Sequence, residues 1–139
     1  YHKGDEMIQL TGRFLSLACD AKLDFIGHLG GDDFILVMQS HDWKARLEQA
    51  LRSFEQATSL LFSPEHLAAC GYESEDRNGN VVFHPLSSLS IGAVLISAQQ
   101  YISHNEVSAA ATLAKKMAKR TAGNCLFIEQ RTSAFRSET

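Results

Sequence analysis

Residues 24 to 38 have the sequence DFIGHLGGDDFILVM. Two short runs rich in Phe, Ile, Leu and Val, residues 24–29 and 33–38, flank Gly30, Gly31 and Asp32. Apolar runs of this length are typical of β-strands, and a glycine pair between them supplies the backbone dihedral angles that a tight turn requires. The segment therefore predicts a β-hairpin with the two glycines at its tip.

Amphipathic helices are predicted on both sides of this hairpin. In residues 5–18, and again in residues 42–61, apolar side chains recur every three or four positions and so form one face of a helix. Ser40 or Asp42 is expected to cap the start of the second helix, and Pro64 is expected to end the segment.

A second hairpin and a buried strand are predicted next. The dipeptide Asn78-Gly79 is a strong signal for a hairpin with a two-residue turn, between a polar stretch and residues 81–83. Residues 86–97 end in a nearly continuous apolar run, which is typical of a strand buried on both faces of a sheet.

The remaining sequence predicts one more helix and a final strand at residues 126–128. The helix follows a capping-box sequence at residues 103–106 and runs to about Thr121, with Gly123 as its C-terminal cap. Its inward-facing side chains are expected to be Val107, Ala110, Ala111, Ala114, Met117 and Ala118. This order of elements predicts an α/β or α+β fold, with a largely antiparallel sheet and helices packed against it.

Length and composition indicate one globular domain, residues 1–130, followed by a polar tail, residues 131–139. The chain has 139 residues, of which 45% are apolar, so it can bury a substantial core. A net charge of -3 argues against non-specific binding to nucleic acid or to an anionic membrane. No apolar run approaches the ~20 residues that cross a bilayer, and from the sequence we expect no signal peptide. We therefore expect a cytoplasmic protein, and we expect the chain to be a piece of a longer one.

The string from Gly30 to Phe34 allows two physical interpretations. In the first, the glycines simply permit a tight turn and the neighbouring acids are solvated. In the second, the missing side chains of Gly30 and Gly31 let a phosphate or a base approach the backbone closely. The carboxylates of Asp32 and Asp33 would then hold Mg²⁺, a hard cation that prefers oxygen ligands. These five residues alone leave both interpretations open.

Five short segments in a fixed order extend the argument beyond this string. They are Gly4-Asp5 at the first helix, residues 24–29, the string Gly30 to Phe34, residues 88–92 with the sequence SLSIG, and Ala118-Lys119 followed by Gly123-Asn124. Together they resemble the GGDEF domain of bacterial diguanylate cyclases, with Asp33 in the position of the family's Glu. The resemblance covers roughly residues 1–130. It implies a central, mostly antiparallel sheet flanked by helices, of the type found in nucleotidyl cyclases and polymerase palm domains.

The resemblance also implies roles for individual residues. GGDEF domains condense two GTP molecules into cyclic di-GMP across a homodimer, and metal ions lower the charge on the phosphates. Asp32 would be a ligand of Mg²⁺, and Asp33 would occupy the catalytic position. The implied nucleotide-binding residues are Gly30, Gly31, Phe34, Asp5 and Lys119. Among these, Asp5 would accept hydrogen bonds from the guanine edge and Lys119 would meet the phosphates.

The chain departs from the family pattern at positions that catalysis requires. The family's first strand and its neighbouring helix, which carry a second metal-binding Asp and a guanine-reading Asn, have no counterpart in this sequence. Asp33 is one methylene shorter than Glu, and a displacement of about 1 Å can reduce a rate about 100-fold. Gly123 stands where the family has a second phosphate-binding basic residue. Ala21 and His28 stand where the family has arginines, so a product-feedback site is not expected.

Three interpretations follow from these observations. In the first, which we adopt, a degenerate GGDEF domain serves as a regulatory, GTP-binding or dimerisation module in cyclic di-GMP signalling, in a parent that carries EAL or CBS domains. In the second, the chain is a fragment of an active diguanylate cyclase. In the third, it is an unrelated ferredoxin-like interaction module. No cyclase activity is expected from this chain on its own.

Overall fold

The computed structural model describes residues 2–69, 71–85, 88–97 and 103–129. The chain divides into two compact units, residues 1–88 and residues 89–139. The first unit contains α1 (His2–Ala18), β1 (Phe25–Gly30), β2 (Asp33–Val37), α2 (Trp43–Leu61), α3 (Pro64–Ala68), β3 (Gly71–Glu75) and β4 (Val81–Pro85). The second unit contains β5 (Ser90–Val94), α4 (His104–Lys119) and β6 (Cys125–Glu129).

Helices α1 and α2 pack together and hold the core of the first unit, as their amphipathic patterns predicted. The buried apolar residues of these two helices are Met7, Leu15, Ala18, Leu47, Ala50 and Phe54. Phe54 is the largest fully buried side chain of the described residues, at 2% exposure. The α1–α2 pair is therefore the support on which the first unit depends.

Of the two predicted N-caps of α2, Asp42 occupies the N-cap position, but its side chain makes no capping hydrogen bond. Its Oδ1 accepts from the Nε of Arg46 at 2.8 Å. The hydroxyl of Ser40 donates to Asp24 instead. The helix ends at Leu61, before Pro64, as predicted, yet Pro64 also begins the short helix α3, which was not predicted. Proline suits that first position because its missing N–H would have no helical partner there.

Strands β1 and β2 form the predicted antiparallel hairpin. His28 pairs with Phe34 and Gly30 pairs with Asp33, with an irregularity in register between His28 and Gly30. The ring of Phe34 packs on α1 at Gly12, where an added Cβ would lie 3.3 Å from that ring. One face of the hairpin is thus fastened to the first helix.

Strands β3 and β4 form the second predicted hairpin, but its turn is longer than predicted. The backbone N–H of Asp76 donates to the carbonyl of Asn80 at 2.8 Å, so residues 77–79 form a three-residue loop. The N–H of Gly79 donates to Asp76, and Gly79 has φ +80. A turn followed by a left-handed glycine is the usual three-residue alternative to the two-residue turn.

The second unit is a parallel strand pair covered by a helix. Ser90 pairs with Cys125 and Val94 with Glu129, and α4 connects the two strands. Ala110, Ala114 and Ala118 are buried on α4, whereas Ala111, predicted to face inward, is exposed. The residues of β5 are only half-buried, so the predicted burial on both faces is not seen.

The predicted N-terminal cap of α4 is confirmed, whereas the predicted C-terminal cap is wrong. The hydroxyl of Ser103 accepts a hydrogen bond from the N–H of Glu106, as a capping sequence requires. At the other end the cap is Arg120 in a right-handed helical conformation, so the assignment of Gly123 as the cap was wrong. Gly123 has φ +81 and belongs to the turn that leads into β6.

The described residues therefore form a mixed α/β structure with four helices, two antiparallel hairpins and one parallel strand pair. A single central sheet of the palm type stays a prediction. Among the residues that the structure describes, no helix has the length and apolar character to span a membrane. The predicted tail, residues 131–139, lies outside the described residues.

Candidate functional site

The tip of the β1–β2 hairpin carries the string singled out in the sequence. Gly30 has φ +115 and Gly31 has φ +57, values that residues with a side chain rarely adopt. Nothing lies within 4 Å of the position that a Cβ would take at either glycine. The space above this backbone is open to a ligand, and the side chain of Asp32 is exposed beside it.

His28 contacts this tip although the sequence marked it only as a replacement for a family arginine. Its Nε2 lies 2.8 Å from the carbonyl oxygen of Gly31. Its ring stacks on Phe34, with ring centroids 4.5 Å apart and planes inclined by 11°. The hairpin pattern could have revealed this pair, because directly opposed residues in an antiparallel ladder lie on the same face.

Asp5 lies in the first turn of α1 and is exposed. Gly12, about two turns further along α1, contacts the ring of Phe34 in the hairpin. The placement of Asp5 beside the glycine turn stays a prediction.

The other predicted site residues are arranged less favourably for catalysis. Asp33 is half-buried at the start of β2, directly after the exposed Asp32. Phe34 points its ring at α1 and His28, so it supports the turn from below. Lys119 is exposed in the last turn of α4, in the second unit, and its role toward phosphates stays a prediction.

Two adjacent carboxylates could serve a magnesium ion at the tip, but they make no complete protein cage. Among the described residues, no group of three or more His, Cys, Asp or Glu side chains is placed to hold a metal. Mg²⁺ commonly binds through one or two carboxylates and takes its other ligands from water and substrate phosphates. Asp32 and Asp33 supply two carboxylates of this kind, and their role toward Mg²⁺ stays a prediction.

At the base of the hairpin, the carboxylate of Asp24 accepts hydrogen bonds from the segments on both sides of the two strands. The sequence analysis did not predict this role. Its Oδ1 accepts from the N–H of Gln39 at 2.7 Å, and its Oδ2 accepts from the N–H of Asp20 at 2.8 Å. The N–H and the hydroxyl of Ser40 donate to it as well. Partial burial disfavours the charge, but these hydrogen bonds from Asp20, Gln39 and Ser40 outweigh it and hold the pKa of Asp24 at about 2.

We expect this carboxylate to make the first unit sensitive to acid. Because its pKa is lowered on folding, its contribution to stability is complete above about pH 4 and is lost as the pH falls toward about 2. Asp24→Asn should lower the midpoint of urea denaturation at pH 7, and the gap to the wild type should narrow at pH 2.5. The control is Glu55→Gln, which removes an exposed carboxylate of α2. An equal gap at both pH values would contradict this role of Asp24.

Comparison with known proteins adds no relative. No family model matches the chain, and neither the curated proteins nor the solved structures provide a match. The resemblance to GGDEF domains therefore rests on the five segments of the sequence and stays a prediction.

Proposed function

We propose that this chain is a degenerate GGDEF-like module that binds GTP with Mg²⁺ and does not convert it, as a regulatory part of a cyclic di-GMP signalling protein. The observation that carries the proposal is the exposed turn with two left-handed glycines, open space above them and an exposed carboxylate alongside. A phosphate can approach such a backbone closely because no Cβ stands in its way. Asp5 would meet the guanine from the start of α1.

The lack of turnover follows from what the site offers chemically. Activation of a 3′-hydroxyl needs metal ions held firmly against the phosphates. Among the described residues, the carboxylates of the hairpin tip are those of Asp32 and Asp33, and Asp33 is shorter than the Glu of the family. A nucleotide could be bound by such a site, but its phosphates would not be aligned for in-line attack.

By resemblance to GGDEF domains, the module would have a palm-type central sheet and would form a homodimer in the cytoplasm. Partner domains of the EAL or CBS type would read out its nucleotide state. These partners, rather than the chain itself, would carry the enzymatic output.

Titration calorimetry with GTP and Mg²⁺ tests the binding. Asp32→Ala should weaken the affinity about tenfold or more, since it removes an exposed charge from the metal and phosphate site. Glu55→Ala, which removes an exposed carboxylate from α2, should leave the affinity unchanged. Equal affinities of the wild type and Asp32→Ala would contradict the proposed site.

Product analysis separates the three interpretations. Incubated with GTP and Mg²⁺, the chain should form no cyclic di-GMP above background. Measured turnover would replace the proposal with the active-cyclase interpretation. No binding of GTP at millimolar concentration would instead favour the ferredoxin-like interaction module.

A further inference from the structure

The glycine turn is not held in place by packing of its own. Gly30 and Gly31 are exposed, and nothing lies near the positions where their side chains would begin. Glycine has the widest choice of backbone dihedral angles, so an exposed glycine pair loses much conformational entropy when it is ordered. A turn that presents one defined surface to a ligand therefore needs an external restraint.

A chain of three contacts supplies this restraint. The ring of Phe34 lies against the backbone of α1 at Gly12. The ring of His28 stacks on Phe34, and Nε2 of His28 reaches the carbonyl oxygen of Gly31 at 2.8 Å. The carbonyl can only accept, so Nε2 is the donor and carries a hydrogen. The first helix, a rigid element, is thereby connected to the peptide at the tip of the hairpin.

This hydrogen bond fixes the orientation of one peptide group. The carbonyl of Gly31 and the N–H of Asp32 belong to the same planar trans peptide, in which the two groups point in opposite directions. Because the carbonyl points toward His28, the N–H of Asp32 points away from it. That N–H is a donor of the kind that binds phosphate oxygens at backbone anion sites.

We propose that His28 is a positioning residue, which locks the Gly31–Asp32 peptide so that the Asp32 N–H faces an incoming phosphate. The part that concerns phosphate rests on the proposed function, whereas the lock itself belongs to the protein without ligand. The irregular register beside His28 fits this role, since bulges in strands commonly re-aim a side chain.

A purely structural role would confine His28 to packing on Phe34. Two variants separate packing from the hydrogen bond. His28→Phe keeps an aromatic ring on Phe34 and loses the donor, whereas His28→Gln loses the ring and places an amide N–H₂ near the position of Nε2. His41→Phe, at an exposed histidine between β2 and α2, is the matched control.

The experiment measures ¹⁵N relaxation of the 139-residue chain without ligand, followed by titration with GTP and Mg²⁺. In the wild type and in His28→Gln, the Gly31 and Asp32 amides should show order parameters of about 0.85, and in His28→Phe these should fall below about 0.6. The Kd for GTP should rise about five- to tenfold in His28→Phe and recover in His28→Gln. His41→Phe should match the wild type in both measurements.

Each result has a defined meaning. A rigid turn in His28→Phe would overturn the lock, because packing alone would then suffice. A mobile turn with an unchanged Kd would overturn the orientation of the Asp32 N–H toward phosphate. Failure of the wild type to bind GTP would overturn the proposed function, and the relaxation data would still decide whether His28 locks the turn.

Discussion

Replacement of Gly92 by alanine is expected to unfold the second unit of the chain or to leave it barely stable. A Cβ at Gly92 would lie 2.2 Å from the backbone nitrogen of Lys115 and 2.4 Å from the carbonyl carbon of Ala114. Both atoms belong to the backbone of α4, which cannot rotate aside as a side chain can. The helix would have to retreat by about 1 Å and would lose the packing of Ala114 and Ala118, both at 0% exposure.

The expected loss is about 3 kcal/mol or more, at the upper end of the range for overpacked sites. A protein of this size has only about 5–15 kcal/mol of stability in total. In an uncrowded strand the same substitution would be neutral or stabilising, because alanine has the lower conformational entropy when unfolded. Destabilisation would therefore report the contact with the helix.

Hydrogen exchange measured by mass spectrometry can follow this loss in peptides from β5, α4 and β6. Gly123→Ala is the matched control, since nothing lies within 4 Å of its Cβ position and only its φ of +81 is unfavourable for alanine. We expect rapid exchange throughout the second unit of Gly92→Ala and only a modest change in Gly123→Ala. Equal protection from exchange in the two variants would contradict the prediction, because it would show that α4 can shift enough to accommodate a Cβ at Gly92.

The elements that the sequence predicted well are those governed by local patterns. Both hairpins and three of the four described helices follow from apolar spacing and from glycine-containing turns. One of the errors arises because a group that is distant in sequence competes for a side chain. Ser40 does not cap α2 because its hydroxyl serves Asp24, which is 16 residues away in sequence. Spacing along the chain contains no information on such a partner.

In the candidate site, too, features set by local sequence were predicted and features set by tertiary packing were not. The turn at Gly30 and Gly31 was predicted because its dihedral angles depend on the residues themselves. The contact of Gly12 with Phe34, and through it the support of the turn by His28, depends on how a helix and a hairpin pack. For the contact with Phe34, a glycine in the middle of an amphipathic helix was an available sequence signal, since such a glycine often has a packing reason.

Truncation of Phe54 to alanine should produce the largest loss in the first unit. Phe54 is buried to 2% exposure in α2, where that helix packs on α1. Its removal deletes an aromatic side chain from a close-packed region and leaves a cavity, which costs about 3–5 kcal/mol at comparable sites. Because α1 carries both Asp5 and the Gly12 contact with Phe34, the glycine turn should also lose its support.

Urea denaturation and hydrogen exchange of α1 and α2 peptides measure this effect. Leu60→Ala is the matched control, because Leu60 lies in the same helix at 86% exposure and its truncation removes almost no buried surface. We expect a large fall in the urea midpoint and in α1–α2 protection for Phe54→Ala, and little change for Leu60→Ala. If the two variants were equally stable, packing of α1 on α2 would not be what holds α1 against the hairpin. The support of the glycine turn would then have to come from elsewhere in the first unit.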